Sequence, residues 1–161
     1  MEKFMARART LTGSIVLGGA VDEVFRLFSP LGEKQWVPEW DPQILHPVEA
    51  EWEEGLIFRT REETGEAVWI VTRLDFALHK VTYHRVEPGR YVARIDVSCR
   101  ALGQRSTEAT IVYAFVGLSD RGNREIAAMT QNDYDAKMVR WQKWITAHLE
   151  ARLPPRAAHK E

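Results

Sequence analysis

A continuous stretch near the end of the sequence, Asn123 to Leu153, constrains the fold most, because it contains neither proline nor glycine. Asn123 is a suitable N-cap, and the pair Pro154-Pro155 ends the stretch since proline cannot continue a helix. Its apolar residues recur at steps of mostly three or four, as on a helix with one apolar face: Ile126, Met129, Tyr134, Met138, Trp141, Ile145, Leu149 and Leu153. The sequence therefore predicts one long helix, which needs a large apolar surface as its partner.

Several other positions of this predicted helix carry polar or charged residues. Asp133 and Lys137 are four residues apart, so we expect them to form a favourable pair. The side opposite the apolar face carries residues that water can solvate: Arg140, Lys143, Thr146 and Glu150.

Composition and charge exclude several classes of protein. The 161 residues are 45% hydrophobic and 28% charged, which fits one globular domain, 1–161, with a core at about 10–153. The net charge of −1 provides no basic surface for nucleic acid. No apolar run approaches the ~20 residues that a membrane helix needs, so we expect no membrane insertion. The first ten residues lack the apolar region of a secretory signal, and we expect a cytoplasmic protein.

Metal and cofactor signatures are absent from the sequence. Cys99 is the only cysteine, and the five histidines are scattered without the spacing of a metal site: His46, His79, His84, His148 and His159. The sequence has no phosphate-binding loop, no dinucleotide-binding glycine motif and no nucleophile elbow. We therefore predict that the protein needs neither a metal nor a cofactor.

The chain before the long helix reads as strands with two short helices. Thr10 to Leu17 is rich in β-branched residues and predicts the first strand. A short amphipathic helix follows at about 21–28, then a second short helix or turn at about 31–36 and a short strand at Gln43 to His46. From Leu56 onward the period changes to two, and turn signals separate five strands of an antiparallel meander.

Strict alternation decides which side chains of this meander are buried. In the strand from Tyr91 to Cys99, one face carries Ala93, Ile95, Val97 and Cys99, and the other is polar. Two registers are open for the strand around Trp69. Either Trp69, Val71 and Arg73 point inward, or the inward set is Val68, Ile70, Thr72 and Leu74; the second is the cleaner apolar pattern, and we favour it.

The order of elements indicates an α+β fold. A curved antiparallel sheet of six to seven strands would wrap around the long C-terminal helix, and the two short helices after the first strand would close one end. A half-open barrel of this kind often encloses a cavity between sheet and helix.

Local motifs along the chain are similar to those of one superfamily. These motifs are Gly32-Glu33, the segment Trp36 to Pro42, Trp69 to Thr72 with Asp75, Val86 with Pro88-Gly89, and Thr130 to Tyr134 with Trp141. Through them, over about 10–153, the sequence resembles bacterial single-domain members of the helix-grip (SRPBCC) superfamily, which includes START lipid-transfer domains, the birch pollen allergen and polyketide cyclases. Glu39 departs from the pattern, because glycine is common at that position.

The resemblance implies a cavity for a small hydrophobic molecule, lipid-like or polyketide-like. We expect a carrier or sensor rather than an enzyme, with the small apolar molecule as its partner; the oligomeric state is open, and a homodimer is one option. The side chains predicted to line the cavity are Trp36, Trp40, Trp69, Val71, Tyr83, Ile95, Val97, Tyr113, Met129, Met138 and Trp141. Each of them could equally be a plain core residue.

The alternative is an enzyme of the cyclase or dehydratase kind that moves a proton in the same cavity. Its candidate proton carriers are Tyr83, His84, Asp41 and Tyr113, although no catalytic residue can be assigned. A tyrosine–arginine or tyrosine–histidine pair at the cavity floor would favour the enzyme, and a purely apolar lining would favour the carrier. A third possibility, an activator of a heat-shock ATPase, would need an exposed interaction surface that the sequence does not reveal.

Overall fold

The computed structural model describes residues 3–63 and 65–152. In chain order its elements are β1 (Ala8–Leu17), α1 (Val21–Arg26), α2 (Pro30–Glu33), β2 (Gln43–His46), β3 (Ile57–Glu62), β4 (Gly65–Asp75), β5 (Lys80–Glu87), β6 (Tyr91–Gly103), β7 (Ser106–Gly117), α3 (Asp120–Ala128) and α4 (Gln131–Arg152). The predicted order of elements is confirmed, and β2 has the predicted bounds. No helix in the described ranges is long and apolar enough to span a membrane.

All seven strands form one curved antiparallel sheet in the order β1-β7-β6-β5-β4-β3-β2. Each strand from β2 to β7 pairs with its neighbour in sequence, while β1 closes on β7 from Ala8 opposite Val116 to Leu17 opposite Thr107. The predicted alternation in β6 is confirmed, because Ala93, Ile95 and Val97 are buried and Arg94 is exposed. The sheet therefore has one dry, concave face and one wet face.

The predicted single long helix is wrong in one respect, because it is two helices. The turn at Met129 and Thr130 separates α3 from α4, and Asn123 is not an N-cap. The N-cap of α3 is Ser119, whose side chain accepts a hydrogen bond from the amide of Gly122. The side chain of Asn123 instead accepts from the amide of Arg7 at 2.8 Å and so holds the chain that precedes β1. The predicted helix end at Leu153 and Pro154-Pro155 lies outside the described residues.

The favoured register of β4 is also wrong. Ala67, Trp69 and Val71 are buried, as in the alternative register, but Arg73 is exposed. A β-bulge between Val71 and Arg73 in the pairing with β5 explains both facts, since one extra residue moves the rest of the strand to the other face.

Helix α4 packs across the concave face of the sheet. Its buried residues, Tyr134, Met138, Ile145 and Leu149, are the predicted stripe. Gly13 of β1 permits close approach, because a Cβ there would lie 2.7 Å from Cγ of Met138. The helix is therefore pressed closely against β1 at this point.

Candidate functional site

The inner wall under α4 is strongly aromatic. The rings of Phe58 and Trp69 are stacked with centroids 5.4 Å apart, and Tyr83 meets both edge-on. Farther along the sheet, on β7, Tyr113 stacks on Phe115 with ring centres 5.7 Å apart. Such rings offer flat apolar surface together with electron-rich faces that attract cations.

Arg85 on β5 enters this wall instead of facing water. The same alternation that buries Tyr83 points Arg85 inward, and its guanidinium carbon lies 5.2 Å from the ring centre of Trp69 and 5.9 Å from that of Tyr113. Its Nε is 3.3 Å from a carboxylate oxygen of Glu87 but makes no hydrogen bond. The carboxylate of Glu87 also forms an ion pair with Arg90. Arg85 is thus ion-paired with Glu87, while its buried Nε still has a hydrogen to donate.

Lys137 reaches the same wall from α4. Its Nζ lies 4.0 Å from the ring centre of Tyr113 and 4.9 Å from that of Trp141. The predicted surface pair with Asp133 is not formed, and Lys137 makes no ion pair within 4 Å with any described residue. Burial, reinforced by the positive charge of Arg85, lowers the pKa of Lys137 to about 7.

Glu33, the last residue of α2, supplies a carboxyl group to the same interior. Burial raises the pKa of Glu33 to about 8, although Lys137 and Arg85 both act to lower it. The preceding Gly32 fixes its position, because a Cβ on Gly32 would lie 2.1 Å from the carbonyl oxygen of Arg26. The short helix therefore fits tightly at this point and aims a protonated carboxyl inward at neutral pH.

Glu33, Arg85 and Lys137, which we call the interior triad, come from three separate elements and influence one another electrostatically. No ion pair of 4 Å or less joins them in the described structure. Each lies deep in the molecule and yet keeps part of its surface accessible. The three side chains therefore share one partly accessible region of the interior, in which each feels the charge of the others.

Two depressions of the described structure are candidates for a ligand site. A cleft of about 320 Å³ opens between the start of α4 and the β1–β7 part of the sheet, with Leu11, Phe115, Met129 and Lys137 in its lining. A larger groove of about 710 Å³ lies at the β3–β4 end, where most of the lining is charged and Trp40 forms one wall. We assign the site to the smaller cleft, because it alone of the two contains a member of the interior triad.

The structure distributes the predicted lining residues between the core and the two openings. Trp40, Met129 and Trp141 are only partly buried, with Met129 in the cleft and Trp40 in the groove. The others are buried in the core: Trp36, Trp69, Val71, Tyr83, Ile95, Val97, Tyr113 and Met138. Their role as ligand contacts stays a prediction.

The predicted proton carriers are placed differently from one another. The hydroxyl of Tyr83 donates to the carbonyl of Phe28 at 2.7 Å and accepts from the indole of Trp52, so it is fully engaged. His84 faces away from the interior and bonds to Thr72. Asp41 is exposed, with only a 3.8 Å contact to Lys34. Tyr113 alone remains in the site, and burial raises its pKa well above the usual range.

Sequence reasoning missed the interior triad as a site. Glu33 was part of a motif without assigned chemistry, and Lys137 was assigned to a pair with Asp133. One signal was available for Lys137, because position 137 lies three and four residues from Tyr134 and Trp141 on the apolar side. For Arg85 the signal was its spacing of two from Tyr83 in a strand.

Glu39, which departs from the superfamily pattern, has a simple structural reading. Its φ of 61° lies in the left-handed region, which costs a residue with a Cβ more than it costs glycine. The glycine that is common at this position in the resembled segment therefore suits the turn better than the glutamate found here.

No group of three or more histidine, cysteine, aspartate or glutamate side chains in the described ranges is arranged to hold a metal ion. The interior triad contains a single carboxylate and no imidazole or thiolate. Its chemistry is that of hydrogen bonding, charge and proton transfer.

No protein-family model and no curated protein sequence matches the chain. Solved structures do match. Truncated norcoclaurine synthase from Thalictrum flavum has a TM-score of 0.68 at 9% identity, covering 96% of this chain and 100% of that one. The Zhui aromatase/cyclase from Streptomyces sp. R1128 has a TM-score of 0.65 at 16% identity, covering 94% and 99%. Ara h 8.0201 has a TM-score of 0.65 at 13% identity, covering 90% and 99%.

These three proteins belong to the helix-grip superfamily, and the likeness extends over nearly the whole of each chain. At such low identity it concerns the fold alone. Together with the sheet order and the position of α4, it confirms the resemblance seen in the sequence motifs: the chain has the helix-grip fold.

Proposed function

We propose that the protein binds a small, largely aromatic molecule that carries an acceptor oxygen, in the space between the sheet and α4. The observation that carries this proposal is the interior triad, in which Arg85 and Lys137 offer donors from an aromatic wall. An empty interior would leave these donors without acceptors, which is costly in a protein. A carboxylate, phenolate or carbonyl oxygen on an apolar body would satisfy them.

Two solved neighbours are consistent with this ligand class. One structure of norcoclaurine synthase contains dopamine and hydroxybenzaldehyde, both small aromatic molecules with oxygen substituents. Another neighbour is an aromatase/cyclase. Their ligands and reactions belong to those proteins; what supports the proposal here is the chemistry of the wall.

The test is competition against an environment-sensitive apolar dye. We expect the folded protein to bind the dye and naphthoate to displace it about tenfold more effectively than methylnaphthalene, since a hydrogen bond to a charged group contributes roughly 1.5–3 kcal/mol. Arg85→Met should remove most of this preference. Arg73→Met, on the exposed side of the adjacent strand, is the matched control and should behave as wild type. Equal displacement by the two competitors in wild type would refute the proposal.

A second function, proton transfer of the cyclase or dehydratase kind, is favoured by one specific observation. The pKa of Glu33 is raised to about 8 and that of Lys137 is lowered to about 7, so at neutral pH the site holds a proton donor beside an amine that can accept one. The guanidinium carbon of Arg85 lies 5.9 Å from the ring centre of the buried Tyr113, and this tyrosine–arginine neighbourhood supports the enzyme proposal.

The enzyme proposal is tested with benzoylacetone, a small aromatic diketone whose acidic carbon exchanges protons. We expect the wild type to accelerate deuterium incorporation measured by NMR, and Lys137→Met and Glu33→Gln each to reduce this at least tenfold. Glu39→Gln changes an exposed carboxylate on the turn after α2 and serves as control. Exchange at the uncatalysed rate with bound diketone would leave binding alone as the function.

A further inference from the structure

We propose that Lys137 forms a covalent imine with the carbonyl carbon of a small aromatic aldehyde or ketone that enters the cleft at the start of α4. This rests on the proposed function in one respect, namely that the acceptor oxygen of the ligand belongs to a carbonyl group. It adds a bond-forming residue and restricts the substrate class to carbonyl compounds.

The position of Lys137 is unusual among the lysines of the chain. In the described ranges, Lys3, Lys34, Lys80 and Lys143 are exposed, whereas Lys137 is turned inward. It lines the cleft of about 320 Å³ together with Leu11, Phe115 and Met129, so a flat apolar ligand would lie against it. The side chain is thus half-buried and lines an opening to the surface, whereas the other described lysines extend into water.

The surroundings of Nζ leave it available for reaction. It lies 4.0, 5.9 and 4.9 Å from the ring centres of Tyr113, Tyr134 and Trp141. It donates no hydrogen bond and makes no ion pair in the described structure. A surface lysine of this helix would instead be fully hydrated, and a salt-bridged one would be held protonated.

The charged groups around the amine set its protonation. Burial and the charge of Arg85 lower the pKa of Lys137 to about 7, Arg140 acts in the same sense, and Glu33 opposes them. Glu125 and Asp133 also line the cleft, and the three rings favour the ammonium form. The lowered pKa increases the share of neutral amine at neutral pH, and a neutral lysine held among apolar groups beside a second cation is an activated nucleophile.

The reaction balances without any further reagent. The lone pair of Nζ attacks the carbonyl carbon, the carbonyl oxygen takes a proton, and the nitrogen loses one, which gives a carbinolamine. The carbinolamine then loses its hydroxyl group as water, and the remaining N–H proton is released as the C=N bond forms. Glu33, which interacts electrostatically with Lys137 and whose pKa is raised to about 8, is the acid that we assign to protonate the departing hydroxyl.

The experiment is reductive trapping. Wild type is incubated at pH 7 with benzaldehyde and cyanoborohydride, and the rate of modification at each lysine is followed by peptide mass mapping. We expect Lys137 to be modified at least tenfold faster than Lys143, which lies on the exposed face of the same helix. Lys143→Met should keep the fast phase and Lys137→Met should lose it. Glu33→Gln should slow it severalfold while Lys137 remains the modified site.

Dye binding measured on the same samples separates this inference from the proposed function. Dye binding with Lys137 modified no faster than Lys143 would overturn the imine and leave ligand binding intact. Failure of the wild type both to bind dye and to be modified would overturn both. If Lys137→Met does not fold, Lys137→Arg retains the charge and length of the side chain and must likewise lose the fast phase.

Discussion

At the scale of single residues, Glu33 and Lys137 make the stability of the fold depend on pH in opposite senses. The folded pKa of Glu33 is raised from 4.5 to about 8, so between these values the folded state holds a proton that the unfolded state has lost. Stability therefore falls as pH rises through this window. The folded pKa of Lys137 is lowered from 10.5 to about 7, so stability rises with pH between about 7 and 10.5.

We predict that the two effects give a minimum of stability between about pH 7 and 8. Glu33→Gln should remove the falling limb and be more stable than wild type at pH 8. Lys137→Met should flatten the rising limb. The measurement is the urea midpoint as a function of pH, with Glu39→Gln as the exposed control. A wild-type midpoint that stays constant across this range would contradict the burial of both charges.

Trp141 reports on whether the space beside α4 is empty. Its ring meets the edge of Trp36 at 5.4 Å and lies next to Nζ of Lys137 but is only partly buried. Removal of a large aromatic residue from a packed core costs ~3–5 kcal/mol. We predict that Trp141→Ala costs clearly less and alters dye binding. Ile145→Ala, at a fully buried position of the same helix, should cost ~2–5 kcal/mol. Urea unfolding measures both, and a full-sized loss without dye binding would mean a filled core.

The residues of the interior triad show what one sequence can and cannot reveal. Positions 33, 85 and 137 lie on separate elements, so no local spacing connects them, and only the tertiary fold brings them together. The inward direction of Arg85 followed from alternation once Tyr83 was placed. The direction of Lys137 was hidden, because its spacing to Asp133 also fits a surface pair.

At the scale of elements, the division between α3 and α4 rests on a single cap. Thr130 follows the turn at Met129, and its hydroxyl oxygen accepts a hydrogen bond from the amide of Asp133 at 3.1 Å. Neither residue is glycine or proline, so no helix-breaking residue marks this point in the sequence. The bulge in β4 was hidden in the same way, because Thr72 fits a strand as well as its neighbours do.

We predict that Thr130→Ala destabilises the protein by about 1 kcal/mol, since the loss of an N-cap hydroxyl costs ~0.5–2 kcal/mol. Thr146→Ala, in the middle of α4, is the matched control and should be neutral or slightly stabilising, because alanine is the better helix former. Chemical unfolding of the two variants provides the comparison. Equal losses for both would show that the cap contributes nothing.

At the scale of the whole molecule, the fold was predictable because the spacing of apolar residues is clear. It is close to two residues in the strands and close to that of a helix after them. The change from period two in the meander to a helical period after Gly117 fixed an antiparallel sheet and a helix across it. The size and position of the space between them were not predictable. They depend on how closely α4 approaches β1 at Gly13, which is a matter of side-chain volumes far apart in the chain.

We predict that the whole protein keeps its stability without any metal. Its single cysteine and unclustered histidines give no ligand set of the usual kind. Elemental analysis of the purified protein should find no stoichiometric zinc or iron, and the melting temperature should not change in chelator. Stoichiometric metal whose removal lowers the melting temperature by many degrees would refute this.

The pairing of β1 with β7 has a consequence for co-translational folding. Leu17 lies opposite Thr107, and Ala8 opposite Val116. The first strand therefore cannot pair until the ribosome has added about ninety or more further residues. The meander β2–β7 can assemble in the meantime by short-range contacts, which form quickly. The interior becomes enclosed only when α4 has left the exit tunnel. Until then the apolar and aromatic face of the sheet is exposed to solvent and to other molecules in the cell.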